Sequence, residues 1–208
     1  MENQALVENT LFWTVGNEQT INFRKTIDSS SSQSPIIPVI PVPEAPTPTP
    51  STSTAVGFSR SNPAFIGTTV DVQFQYLFKT YYARITILQV VRGDQAWNML
   101  QEANMFNSEA KSGYEYVLVK IRFEYYQGPT SDTQFSLSSI SFDAISKIGV
   151  KYDYSFTVDP EPSLSTSLYP GATHEGWATY EIALGDSGPL LAFMRNYDGT
   201  GGVWFALS

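Results

Sequence analysis

The chain has 208 residues, 42% of them apolar and 15% charged, with a formal net charge of −8 and no cysteine. The acidic balance excludes the basic footprint that nucleic-acid binding needs, and the missing cysteine excludes disulfides, thiol catalysis and cysteine-based zinc sites. The length fits one domain with appendages or two small domains, and a residue set rich in Tyr, Phe, Thr and Ser, 14% of it aromatic, favours strands over helices.

Residues 1–28 read as an N-terminal arm. The opening MENQALVENTLFW lacks the basic start and apolar centre of a signal peptide, which fits an export signal that was removed, one that was replaced, or one that never existed. Leu11, Trp13 and Val15 alternate with polar residues, Ile21 and Phe23 do the same, and Gly16-Asn17 lies between them. That pattern predicts a small β-hairpin. A lone hairpin is marginal in water, so its apolar face is expected to cover its own domain, a neighbouring copy by self-assembly, or a different protein partner. Residues 29–55 form a Ser/Pro/Thr-rich linker, with seven of the 13 prolines between Pro35 and Pro50. Proline at this density forbids a packed element and favours extended polyproline II. The segment is expected to be a stiff spacer, like the stalks that hold domains away from bacterial or archaeal surfaces. No apolar run is long enough to form a transmembrane segment.

Residues 56–208 carry period-two alternation. One face of Tyr81–Val91 holds Ala83, Ile85, Ile87 and Val91. One face of Tyr114–Tyr126 holds Val117, Val119, Ile121, Phe123 and Tyr125. In Glu175–Leu184 the face is Ala178, Tyr180, Ile182 and Leu184, and in the tail it is Val203, Phe205 and Leu207. Shorter candidates are Val70–Phe74, Phe135–Phe142, Lys151–Thr157 and Leu190–Arg195, separated by turn signals such as Tyr169-Pro170-Gly171. Short strands at this spacing predict an all-β, two-sheet sandwich. Between the strands ending at Val91 and starting at Tyr114, Asp94 reads as a helix cap, followed by Trp97, Leu100 and Ala103 at helical spacing. This predicts one short crossing helix, with Trp97 plugging an end of the sandwich.

Three stretches carry a resemblance: Gly113–Ile121 (GYEYVLVKI), Leu168–Gly171 (LYPG) and Gly176-Trp177, together with the strand that leads into the helix. The pattern resembles a bacterial and archaeal family of immunoglobulin-like domains of unknown function, found on lipoproteins and secreted proteins behind low-complexity linkers and sometimes mislabelled telomeric-repeat-binding-factor-like. The fold it implies is similar to that of a small secreted mycobacterial antigen. The resemblance spans residues 64–208 and implies an immunoglobulin-like β-sandwich in an extracellular or cell-surface setting. It brings no catalytic motif and no cofactor.

The chemistry-bearing residues are few. Arg92-Gly93-Asp94 spells an integrin-binding tripeptide but leads straight into the helix. His174, the single histidine, has no nucleophile motif beside it and reads as a surface residue. Asp153, Asp159 and Glu161 form an acidic cluster that reads as a solvated loop, with weak calcium binding as the sharper reading. Opposite the core face, Tyr82, Tyr116, Leu118, Tyr126 and Trp177 are candidates for a partner or a surface glycan unless the helix covers them. The expected function is non-enzymatic: a surface-displayed or secreted module that binds or scaffolds. The alternative is a structural subunit of a virion or extracellular filament, docked through its arm, and a carbohydrate-active protein ranks third.

Overall fold

A computed structural model describes residues 55–196 and 198–208. The chain divides into two units, Met1–Thr49 and Pro50–Ser208. The predicted arm, with Leu11, Trp13, Val15, Ile21 and Phe23, and nearly all of the linker lie outside the described residues.

The described residues form nine strands and one α-helix. β1 (Thr69–Tyr76), β2 (Lys79–Arg92), β3 (Tyr114–Gln127) and β7 (Ala172–Ala183) make an antiparallel sheet in the order β1-β2-β3-β7. β5 (Phe142–Ile145), β8 (Leu190–Phe193) and β9 (Val203–Ala206) make a second sheet, and β4 (Phe135–Leu137) pairs with β6 (Thr166–Leu168). The helix α1 (Gly93–Ala103) joins β2 to β3. The architecture is the predicted all-β sandwich with one short helix.

Inward-facing side chains of the two larger sheets and of the β4–β6 pair fill the core. Phe74 lies 5.0 Å from Phe193 and 5.3 Å from Phe135, and Phe123 lies 5.6 Å from both Phe135 and Phe193. Burying a ring of this size contributes about 1.5–3 kcal/mol, and edge-on or offset ring pairs at these distances add to it. The alternating residues of β3, from Val117 to Tyr125, all enter this core, as do Ala178, Tyr180 and Ile182 of β7.

Several sequence expectations need correction. Leu88 has no partner in the β2–β3 register, which steps from Ile87↔Ile121 to Gln89↔Lys120. This bulge inverts the alternation, because one extra residue turns every later side chain to the opposite face. Val90 therefore packs on the main core, while Val91 joins a second cluster with Ala96, Leu100, Tyr116, Leu118 and Trp177. Leu184 lies just beyond the end of β7 and is exposed rather than on the core face. Phe135–Phe142 breaks into β4, a 3-10 turn (Ser139–Ser141) and the start of β5. Lys151–Thr157 is not a strand; only Lys151 makes a bridge, to Ile145. The helix has Arg92 as its N-cap, without a side-chain capping bond, and Asp94 sits inside the first turn. A carboxylate there still interacts favourably with the helix dipole.

The segment between β5 and β6 crosses the edge of β7. Trp177 N donates to Pro162 O and Leu164 N donates to Trp177 O, both at 2.8 Å. Gly176 permits the approach: a Cβ there would stand 2.5 Å from Ser163 O and 2.6 Å from the backbone of Leu164. Leu164 is thereby delivered into the main core.

Asp143 on β5 anchors this segment's start and the end of β8. It pairs with Lys151 at 2.6 Å, and it accepts from Arg195 Nε and Nη2 at 3.1 and 2.8 Å and from the Tyr154 hydroxyl at 3.0 Å. Burial opposes its ionisation, but the bonds from Lys151, Arg195 and Tyr154 outweigh that and hold the carboxyl below the usual range. A depressed carboxyl contributes stability above its unfolded value of about 3.9, and the contribution is lost as pH falls through the folded value. Asp143→Asn is expected to lower stability on the order of 2 kcal/mol at neutral pH, the range for bonds to a charged group. The gap to the native chain closes as pH falls below about 4. Urea unfolding of both chains across that range checks this.

Candidate ligand-binding cleft

The outer face of the four-stranded sheet is only partly open. α1 lies on it, with Ala96 and Leu100 buried against Val91, Leu118 and Trp177. Trp97 stacks on Tyr116 at 6.0 Å between centroids, so it covers the face of the sheet and does not plug an end of the sandwich. Of the predicted sheet-face residues, Tyr116, Leu118 and Trp177 are buried under this layer, and Lys120 Nζ stands 5.8 Å from the Trp177 ring. Tyr82 and Tyr126 stay outside it, 6.2 Å apart, with the Arg84 guanidinium 4.8 Å from the Tyr126 ring. The five candidates thus divide into a covered group and an accessible pair. Periodicity reports only which side a residue faces, so it could not reveal that division.

Beyond the helix a cleft of about 660 Å³ opens between the loop after α1 and the segment 153–157. Its floor is Tyr116 and Glu181, cross-strand partners on β3 and β7. Glu181 is the one acid in the otherwise uncharged run from Gly176 to Ala183. It is buried and held from one side, accepting from Lys111 N at 2.6 Å and pairing with Lys111 Nζ at 3.3 Å. The Tyr116 hydroxyl donates to Ser108 O at 3.0 Å. Burial, and then the Glu181 charge, push this phenol up.

Asn107 ties the two walls together. Its Nδ2 donates to Leu100 O at 2.8 Å and Val158 O at 3.0 Å, and its Oδ1 accepts from Val158 N at 2.9 Å. One side chain thus adds a second bond to the Leu100 carbonyl, which already accepts from Asn104 N, and pairs with the opposite wall as a strand would. At the rim, Phe106 is 83% and Phe156 96% exposed. Glu109 and Asp153 also line the cleft, without a hydrogen bond or ion pair among the described residues. The Thr157 hydroxyl is buried and has no partner among the described residues, which leaves one polar contact unmade.

The remaining candidates lie apart from the cleft or are engaged elsewhere. Asp159 accepts from the Thr179 hydroxyl at 2.5 Å, and burial raises its carboxyl above the usual range despite that bond. Glu161 accepts from Ser163 N at 3.1 Å. Asp153, Asp159 and Glu161 are not gathered around one point, and no group of three metal-ligating side chains occurs among the described residues. His174 is half-buried, with Nε2 2.7 Å from Ser163 O, so it braces the crossing segment and is not a free surface group. Arg92 of the tripeptide pairs with Glu115 at 2.7 Å and donates to Asp186 O at 2.9 Å. No helix among the described residues is long and apolar enough to cross a membrane.

Sequence reasoning missed Phe106, Asn107, Phe156 and Glu181. Two signals were available: a phenylalanine in each of two polar loops, and a single carboxylate inside the apolar run of β7. Asn107→Ala is expected to loosen the wall without unfolding the sandwich. The Val158 amide should then exchange with solvent on the order of tenfold faster, about 1.4 kcal/mol of lost local protection, while amides of β2 and β3 keep theirs. Amide hydrogen exchange resolved by residue checks both.

The family described as "Domain of unknown function (DUF4352)" matches residues 80–202, more than half of the chain. Among curated proteins none matches. Among solved structures, the chain is similar to a "putative lipoprotein (ycdA)" of Bacillus subtilis, with 12% identity and a TM-score of 0.41 over 67% of this chain. The alignment takes in only 38% of the length of that protein. It is also similar to the yjhA protein of Bacillus subtilis, with 11% identity and a TM-score of 0.42, covering 70% of this chain and 99% of that one. The chain belongs to the DUF4352 family of domains of unknown function.

Proposed function

We propose that this domain is a non-enzymatic binding module of immunoglobulin type, displayed at a cell surface on its Ser/Pro/Thr linker. Its ligand is a polypeptide segment that places a basic side chain between apolar ones. The observation that carries this reading is the cleft itself: two exposed phenylalanines stand at its rim, with the unpaired carboxylates of Glu109 and Asp153 beside them. Exposed aromatic rings at a concave site supply contact area at low entropic cost, and unpaired acids favour a cationic partner. The buried carboxylate of Glu181 is already engaged by Lys111, which suits a binding floor better than a general base. The arm, with Leu11, Trp13, Val15, Ile21 and Phe23, is a second contact with partner proteins in this reading.

The test is a peptide array probed with the full chain and with a Phe106→Ser/Phe156→Ser variant. Both rings are exposed, so the variant should unfold at the native midpoint. The array is expected to select peptides with Lys or Arg flanked by Leu or Phe, and the variant should bind them about tenfold more weakly. Selection of acidic or neutral peptides, or unchanged affinity in the variant, contradicts the proposal. Binding to neutral oligosaccharides that is lost on Tyr126→Ala would favour a glycan ligand instead.

A further inference from the structure

The turn between β1 and β2 is built from residues that tight hairpins avoid. Tyr76 and Lys79 pair across a two-residue loop, and its central residues Leu77 and Phe78 have φ of 49° and 62°. Loops with left-handed φ at both positions favour Asn-Gly or Asp-Gly, because a Cβ makes that conformation costly, most of all for a bulky side chain. Packing among the described residues does not offset the cost: Leu77 is 71% exposed and Phe78 fully exposed. Strain and apolar exposure coincide in the same two residues, a combination associated with contact beyond the folded chain.

The surroundings of the tip indicate what it meets. The register of β2, β3 and β7 brings the loop after β3 and the turn before β7 to this same end. Tyr76, Tyr126 and Tyr169 are exposed there. The formal charges of the tip and these two loops, Lys79 and Asp132, cancel, although the whole chain carries −8. Behind a Leu-Phe apex, therefore, stand tyrosines, a lysine and one aspartate, without net charge. A bilayer interface has this order by depth: an apolar acyl boundary, then a headgroup layer in which tyrosine rings and lysine ammonium groups are stable. An aromatic anchor filling a pocket on a folded partner has no need of such a ring.

We infer that the Leu77-Phe78 tip, ringed by Tyr76, Tyr126 and Tyr169, inserts shallowly into a lipid surface and that neutral lipid suffices. The cleft is left free. Tyr116 on its floor is nine residues from Tyr125 along β3, about 30 Å from the inserting end.

Sedimentation of the full chain with phosphatidylcholine vesicles tests this. Leu77→Asn/Phe78→Gly suits the turn better than the native pair, so its thermal midpoint should stay equal or rise. Its vesicle-bound fraction should fall by about tenfold, since the apolar apex is gone. Four results would overturn the inference: no binding by the native chain, equal binding by the variant, binding confined to vesicles containing anionic phosphatidylglycerol, or a lowered midpoint in the variant. The last would show that the two side chains serve the fold.

Discussion

The backbone of residues 162–164 lies directly against the backbone of Gly176, and much of the molecule's outer layer depends on that approach. It ties both the N–H and the C=O of Trp177 to the crossing chain. It sends Leu164 into the main core and holds Trp177 beneath α1 in the outer cluster. The chain that reaches this point has already passed over the sheet, where its earlier residues form one wall of the cleft. A side chain at position 176 would meet main-chain atoms, which cannot move aside as a flexible side-chain end can.

The second dependence is on Leu88. The bulge there re-aims β2, so the sheet gains an apolar patch on its outer side, where α1 can dock. Without such a patch a helix of this composition would have little to bury. β3 and β7 are consequently buried on both faces near their centres. A sandwich with one bare sheet becomes a three-layered structure locally, and the gap between the loop after α1 and the crossing segment is the cleft.

These two features mark the limit of what the sequence makes legible. The core faces of β3 and β7 can be read because Val117 to Tyr125 and Ala178 to Ile182 alternate without interruption. Val91 reads wrongly, since a one-residue bulge leaves no trace in composition but inverts the pattern after it. Lys151–Thr157 mimics a strand because Tyr152, Tyr154 and Phe156 alternate. The alternation there corresponds to no buried side, since Tyr152 is buried whereas Tyr154 and Phe156 are exposed, and beyond the bridge at Lys151 the segment belongs to no ladder. Whether Tyr116 or Trp177 was available to a ligand depended on the helix above them, and no local pattern encodes what a distant segment covers. The cleft residues were hidden for the same reason: Phe106 and Phe156 are far apart in sequence, and the Asn107 clasp joins their segments across one opening.

The most direct test of this account is residue-resolved amide hydrogen exchange in Gly176→Ala. If the close approach holds the outer layer, the added methyl lifts the crossing chain. The amides of Leu164, Trp177 and Val158 should then lose protection together, while those in the centre of β2 and β3 remain slow. Protection unchanged at all three positions would contradict the account, because the crossing would then be held by contacts other than the one at Gly176.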